Sequence, residues 1–137
     1  MLRVIARGGV ETTCADTAAL WFDLDAPTDA EEAEVEAVLG VDVPTPDERA
    51  AFEESARFYE ENGALYLTAT LLGRREEGRF VSGAVSFILA KDRLVTVRQI
   101  RPRAFEVGHG RASARVGSAS SGADVFFALI EGAAERL

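Results

Sequence analysis

Residues 56–72 read ARFYEENGALYLTATLL, and this stretch decides the fold. At its centre is Asn62-Gly63, the strongest short signal for a β-hairpin, because both turn residues tolerate a positive φ. The residues on either side follow the period of two that is typical of strands. The stretch therefore predicts two antiparallel strands, 56–60 and 64–72, joined by a tight turn.

Two further strands continue this hairpin. Residues 74–78 read RREEG and predict a looser turn, and a second hairpin joins residues 80–90 to residues 93–99 across Lys91 and Asp92. Strands joined by such short turns pair with their neighbours in antiparallel fashion. We therefore predict an α/β (α+β) domain with a mixed, largely antiparallel sheet flanked by helices.

A pair of strands and a capped helix precede this meander. Residues 2–6 and 20–24 carry the aliphatic and aromatic side chains of short strands. Thr28 is followed three residues later by Glu31, which is the capping box that satisfies unpaired amide groups at the start of a helix. Gly40 supplies the left-handed cap at the end of this helix.

Shorter elements fill the remaining gaps. Residues 10–18 predict a loop or a ragged strand. Thr45 and Glu48 form a second capping box before a short helix. Pro102 begins another short helix, which we expect to run through Val107.

The last predicted helix starts near Asp124 and reaches residue 137 without a glycine cap, a proline or a polar tail. We therefore expect a longer protein in which residues 1–120 form one α/β domain and residues 121–137 begin a helix that is cut short. Its apolar stripe has a period near 3.6 and consists of Val125, Phe126, Leu129, Ile130 and Ala133.

Charge is distributed unevenly along this acidic chain, whose net charge is −8. Residues 23–61 contain fourteen of the 23 acidic residues and only two arginines, whereas residues 91–115 contain seven basic and two acidic residues. An acidic surface repels nucleic acid and attracts cations. The same residues also keep exposed helix faces soluble, so both interpretations stay open, and nucleic acid is not an expected partner.

Four acidic residues are candidate metal ligands. Asp23 and Asp25 lie two positions apart on a strand and share one face, and Asp29 and Glu32 follow closely. Carboxylate oxygens are ligands for hard divalent cations, and paired carboxylates also serve acid–base catalysis. A structural role remains an alternative, because acidic groups near a helix N-terminus stabilise its dipole.

Other candidate sites are weak. His109 lies between two glycines, which favours a flexible surface position, and Cys14 has no basic neighbour in sequence that would activate a thiolate. Dinucleotide, Walker and nucleophile-elbow motifs are absent. We predict no catalytic residues, no tightly bound cofactor and no enzymatic activity. The aromatic residues are predicted to be core, and they are Trp21, Phe52, Phe58, Tyr59, Tyr66, Phe80 and Phe87.

Two stretches carry a family resemblance. Residues 21–34 read WFDLDAPTDAEEAE, which resembles the W-x-D-L-x-x-P-T/D opening and acidic helix of CorA-type divalent-cation transporters. Residues 54–67 read ESARFYEENGALYL and resemble the E-x-S-A-R-F-x-E-x-x-G-L hairpin of the enterobacterial branch of that family. The likeness spans residues 20–137, and residues 122–130 (GADVFFALI) are similar to the start of the family's long stalk helix.

This resemblance implies an α/β/α sandwich, with residues 1–120 as the N-terminal cytosolic funnel domain and residues 121–137 as the start of the stalk. The parent protein would be a pentameric transporter of magnesium, sometimes cobalt or nickel, at the inner membrane, with this part on its cytoplasmic face. Met1 is the only methionine, so the family's Gly-Met-Asn pore signature lies outside this sequence, as do the membrane helices. We expect the isolated chain to be soluble and monomeric.

The resemblance also implies a function. In some family members acidic residues of the cytosolic domains bind Mg²⁺ between subunits, which suggests a regulatory domain that senses or attracts divalent cations. Asp23, Asp25, Asp29 and Glu32 come from local charge and not from the resemblance. The alternatives are a zinc-transporting relative of the same family and a stand-alone module for small-molecule binding or assembly.

Overall fold

A central sheet organises the protein in a computed structural model that describes residues 1–6, 11–12, 19–45, 47–48, 57–75, 78–109 and 119–134. The strands are β1 (Leu2–Ala6), β2 (Glu11–Thr12), β3 (Ala19–Asp25), β4 (Arg57–Glu61), β5 (Ala64–Arg74), β6 (Phe80–Ala90), β7 (Arg93–Arg98) and β8 (Arg101–Pro102). The helices are α1 (Asp29–Leu39), α2 (Arg103–His109) and α3 (Gly122–Ala134).

The sheet has the strand order β2-β1-β3-β7-β6-β5-β4, and β8 pairs with the far end of β5. The predicted meander is confirmed, since β4 to β7 pair in sequence with antiparallel register. The first turn has φ values of 50° at Asn62 and 80° at Gly63, as the Asn-Gly signal requires. The parallel pairing of β3 with β7 makes the sheet mixed, which confirms the predicted sheet type.

Helices cover both faces of the sheet and create two hydrophobic layers, as the α/β/α prediction requires. On one face α1 packs Val35 and Leu39 into a cluster with strand residues such as Phe22 and Ile88. On the other face α2 and α3 enclose a second cluster, whose fully buried members include Trp21, Phe87, Leu94, Phe105, Val125 and Leu129. Both the apolar stripe of the last helix and the helix beginning near Pro102 are therefore confirmed.

Two of the predicted core aromatics are exposed instead. Phe58 is 69% exposed because it lies on β4, the strand at one edge of the sheet. Phe80 is 63% exposed at the first position of β6, where it pairs with Arg74. Trp21, Tyr66 and Phe87 are buried as predicted, Tyr59 is half-buried and stacks on Tyr66, and Phe52 lies outside the described residues.

The remaining local predictions have mixed outcomes. The second capping box is present, since the Glu48 amide donates to Thr45 Oγ1 over 3.2 Å, but residues 49–53, where the predicted short helix would continue, lie outside the described residues. Within 10–18, Glu11–Thr12 pairs with β1, and Cys14 lies outside the described residues. His109 is the last backbone position of α2, and because its side chain lies outside the described residues, its flexible surface position stays a prediction.

The start of α1 is fixed by the predicted capping box. Thr28 Oγ1 accepts a hydrogen bond from the Glu31 amide over 3.2 Å, and Glu31 Oε1 accepts one from the Thr28 amide over 2.9 Å. Glu31 Oε2 also accepts from the Leu2 amide, which joins the helix to β1. Gly40 ends the helix in the left-handed conformation with φ of 67°.

Glu31 should make stability depend on pH. The Thr28 amide is the main cause that lowers the pKa of the Glu31 carboxyl below its ordinary value of 4.5, and the Leu2 amide and the N-terminal ammonium act in the same direction. A lowered folded-state pKa means that the stabilisation is complete above pH 4.5 and is lost as the pH falls through the folded-state value. Thermal melts from pH 4.5 downward should show a melting temperature that depends less on pH for Glu31→Gln than for the parent chain. An equal pH dependence of the melting temperature in the two chains would contradict this stabilising role of the Glu31 carboxylate.

Candidate functional site

The parallel pairing of β3 with β7 brings Asp23 to a cationic partner. Arg98 donates from Nη2 to Asp23 Oδ2 over 2.6 Å and from Nε to Asp23 Oδ1 over 3.0 Å. Thr96 Oγ1 donates to Asp23 Oδ1 over 2.8 Å and accepts from Trp21 Nε1 over 2.9 Å. Asp23 and Arg98 are both buried, so their two-pronged ion pair lies within the layer covered by α2 and α3.

Arg98 has further contacts that fix its position. Its Nη1 donates to the Ile100 carbonyl over 2.8 Å, and its guanidinium lies 4.9 Å from the ring centroid of Phe105 on α2. A buried charge needs a partner and saturated hydrogen bonds, and Asp23 and Arg98 satisfy each other in this way. Asp23 therefore has the contacts of a structural ion-pair partner.

The other predicted metal ligands have different surroundings. Asp25 Oδ2 lies 3.5 Å from Arg98 Nη1 and 3.7 Å from Arg101 Nε, so the two strand aspartates share one face as expected, and arginine occupies it. Asp29 is exposed and Glu32 half-buried in the first turn of α1. Within the described ranges, no three Asp, Glu, His or Cys side chains are close enough to hold a metal ion together. A cation site at these four residues stays a prediction.

A separate group of carboxylates surrounds a cavity of about 260 Å³ at the end of α1. We call it the acidic cavity; its carboxylates are Glu36, Asp42, Glu48 and Glu61, and the ring of Tyr59 also lines it. These residues come from α1, from the segment after it and from the β4–β5 hairpin.

Hydrogen bonds hold the walls of the acidic cavity together. Glu36 Oε2 accepts from the Val43 amide over 2.9 Å, and Tyr66 Oη donates to the Asp42 carbonyl over 2.9 Å. Burial is the main cause that raises the pKa of the Tyr59 phenol, and the negative charges of Glu61, Glu48 and Asp42 raise it further. The cavity is therefore a region of negative potential.

Sequence reasoning missed the acidic cavity, although its four carboxylates all belong to the acidic block 23–61. The concentration of acidic residues in that block was the sequence signal that could have indicated the cavity. The sequence pattern points instead to Asp23 and Asp25, which lie two positions apart on one face of a strand, and sequence spacing does not show that arginine neutralises them. What the cavity can do chemically is attract cations, because four carboxylates with little basic charge nearby in sequence create a negative field.

Comparison with known proteins identifies the family. The family model described as CorA-like Mg²⁺ transporter protein matches residues 16–137. The chain belongs to this family. The CorA family consists of transporters and not of enzymes, and the family resemblance predicted from the sequence is confirmed.

Individual CorA proteins show the extent of the similarity. The chain is 27% identical over 126 residues to the magnesium transport protein CorA of Wolinella succinogenes, a match that covers 89% of the chain and 39% of the relative. It is 32% identical over 94 residues to the protein of the same name from Escherichia coli K12, covering 69% of the chain and 30% of the relative. The chain thus spans about two fifths of the first relative and less of the second.

The CorA fold is also found in solved structures. The soluble domain of CorA from Methanocaldococcus jannaschii matches 99% of the chain and 58% of that structure, with a TM-score of 0.63 and 11% identity. The complete CorA magnesium transporter of the same organism matches 98% of the chain and 44% of that structure, with a TM-score of 0.69 and 13% identity. These matches confirm the predicted fold. In the described part of the chain, no helix is both long and apolar enough to cross a membrane.

Proposed function

We propose that this chain is the soluble domain of a Mg²⁺ transporter and that its acidic cavity attracts divalent cations. The observation that carries the proposal is the family match over residues 16–137. Two relatives reported above are named magnesium transport proteins. On this proposal the domain lies on the cytoplasmic face of the membrane, in a homo-oligomer, and the pore is built from other parts of the transporter.

The acidic cavity supports long-range electrostatic attraction of cations more than direct coordination of a cation by fixed carboxylate ligands. Mg²⁺ gives up its water shell reluctantly and is usually held through one or two carboxylates with several waters retained. A cavity of about 260 Å³ lined by four carboxylates suits a hydrated ion. Such attraction weakens when salt is added, because the Debye length falls to about 8 Å at physiological ionic strength.

A regulatory role follows from the same electrostatics. Bound cations would relieve repulsion among Glu36, Asp42, Glu48 and Glu61 and so stabilise the end of the domain that contains the β4–β5 hairpin. A rise in Mg²⁺ would then change the rigidity of this end or its contacts with a neighbouring copy. The domain would report cation concentration to the rest of the transporter.

Millimolar Mg²⁺ should raise the melting temperature of the chain by about 2–4 °C relative to NaCl of equal ionic strength. Neutralising two wall residues, as Glu48→Gln with Glu61→Gln, should reduce this increase by about half because the field in the cavity is weaker. The matched control is Glu34→Gln with Asp92→Asn, which removes the same charge outside the cavity lining. Equal losses in both variants, or no response to Mg²⁺, would contradict the proposal.

Transport itself needs a cellular measurement. The transporter that contains this chain should restore growth in low Mg²⁺ to a bacterium that lacks its own Mg²⁺ uptake systems. Isotope uptake should favour magnesium over zinc. Preferential zinc uptake would instead assign the protein to the zinc-transporting alternative.

A further inference from the structure

A second cavity, of about 340 Å³, lies at the opposite end of β5 from the acidic cavity. The pairing of β4 with β5 ends at Thr68, and β8 joins β5 only at Gly73. Between these points the described residues provide no strand neighbour on that edge, and the cavity opens there. Gly73 makes the junction possible, since a Cβ at this position would lie 2.9 Å from the backbone of Arg101 and Pro102.

The lining of this cavity is basic, although the chain as a whole carries a charge of −8. Arg74, Arg101 and Arg103 contribute three guanidinium groups against the single carboxylate of Glu106, so the lining carries 3 − 1 = 2 net positive charges. We call it the arginine cavity. Arg101 lies 3.7 Å from Asp25, whereas no carboxylate of the described residues forms an ion pair with Arg74 or Arg103.

An apolar surface adjoins these guanidinium groups. The Arg74 guanidinium lies 4.6 Å from the ring centroid of Phe80, whose side chain is 63% exposed. Leu72 is 64% exposed on the same wall, and the buried residues Pro102 and Ala104 line the cavity from the side of β8 and α2. The Arg74 guanidinium lies over one face of the Phe80 ring, and the stacked pair offers a flat surface on which a planar apolar group can stack in turn.

We propose that the arginine cavity binds an organic phosphate with a flat aromatic body, for which a nucleoside monophosphate is the simplest form. A phosphate monoester carries a charge of about −1.5 to −2 near neutral pH, which can balance the two guanidinium groups, of Arg74 and Arg103, that form no ion pair with a described carboxylate, whereas a single carboxylate balances only one of them. Guanidinium groups also bind phosphate in a two-pronged geometry. The volume lies within the range of about 300–1,000 Å³ that is typical of small-molecule sites.

Titration of the chain with AMP, followed by calorimetry and by amide chemical shifts, tests this site. A chelator in the buffer keeps divalent cations from linking AMP to the acidic surface. AMP should shift the amides of residues 70–74 and 101–104 and bind about tenfold more tightly than inorganic phosphate or adenosine, because only AMP has both the charge and the flat body. Equal affinity for inorganic phosphate and AMP would overturn the aromatic part of the proposal. The absence of any shift in these residues would overturn all of it.

Substituted variants distinguish a specific binding site from nonspecific electrostatic attraction of the ligand. Arg74→Gln with Arg103→Gln should weaken AMP binding about tenfold or more, and Phe80→Ser should weaken AMP but not inorganic phosphate. Lys91→Gln removes a positive charge outside the cavity lining and should leave the affinity unchanged. An equal loss in Lys91→Gln would overturn the proposal. So would binding of anionic phosphatidylglycerol vesicles through Arg74 and Arg103 without binding of AMP, since it would assign the surface to a membrane.

Discussion

Replacing Arg98 with methionine should lower the free energy of unfolding by about 3–5 kcal/mol, because it leaves the buried carboxylate of Asp23 without its counter-charge. The Thr96 hydroxyl would remain as the hydrogen-bond donor described for Asp23, and one neutral donor does not replace a two-pronged guanidinium. The loss also removes the contact between the guanidinium and the Phe105 ring. Urea-induced unfolding at neutral pH measures the change.

Two controls show whether burial is the cause. Asp23→Leu combined with Arg98→Met removes both charges, and it should recover most of the lost stability because no unpaired charge remains. Arg3→Gln removes the more exposed pair of Arg3 with Glu11 and should cost no more than about 1 kcal/mol. A loss of less than about 1 kcal/mol for Arg98→Met would mean that the ion pair is solvated in solution.

Replacing Gly122 with alanine should destabilise the chain by about 1–3 kcal/mol. A Cβ at Gly122 would clash with the carbonyl carbon of Arg93 and lie 2.5 Å from the amide nitrogen of Leu94. Both atoms belong to the backbone of β7, so α3 must move away from the sheet. The same movement disturbs the hydrogen bond that the Gly122 amide donates to the Asp92 carbonyl.

Gly132→Ala is the matched control on the same helix. A Cβ there would lie 3.1 Å from the Cβ of Ala104, which is a milder contact between side chains. Alanine also favours the helical state over glycine by about 1 kcal/mol, so the net change should be small. Equal destabilisation by both substitutions, measured in the same unfolding assay, would show that close approach of α3 to β7 is not the cause.

Sequence patterns predicted the elements whose causes are local. Asn62-Gly63 fixes its hairpin through the φ values of two residues, and Thr28 with Glu31 fixes the start of α1 through hydrogen bonds three residues apart. The parallel pairing of β3 with β7 is different in kind, because Asp23 and Arg98 are 75 residues apart in sequence. No local signal joins them, so the sequence around Asp23 indicates a metal ligand, whereas the folded chain pairs Asp23 with Arg98.

Neither cavity can be predicted from the sequence, and the reason is the same for both. The acidic cavity combines residues from α1, the following segment and the β4–β5 hairpin, and the arginine cavity combines residues of β5, β6, β8, α2 and α3. The uneven charge of residues 23–61 and 91–115 indicated that acidic and basic regions exist. It did not indicate that the carboxylates of one cavity and the arginines of the other gather at opposite ends of β5, which depends on the register of the whole sheet.

Mapping of Mg²⁺ onto the chain by amide chemical shifts tests the central claim most directly. Attraction by the acidic cavity predicts that the largest shifts occur near Asp42, Glu48 and Glu61, and that they diminish as NaCl is added. A response centred on Asp23 and Asp25 that persists in high salt would contradict this account, because it would require Mg²⁺ to displace Arg98 from its buried ion pair.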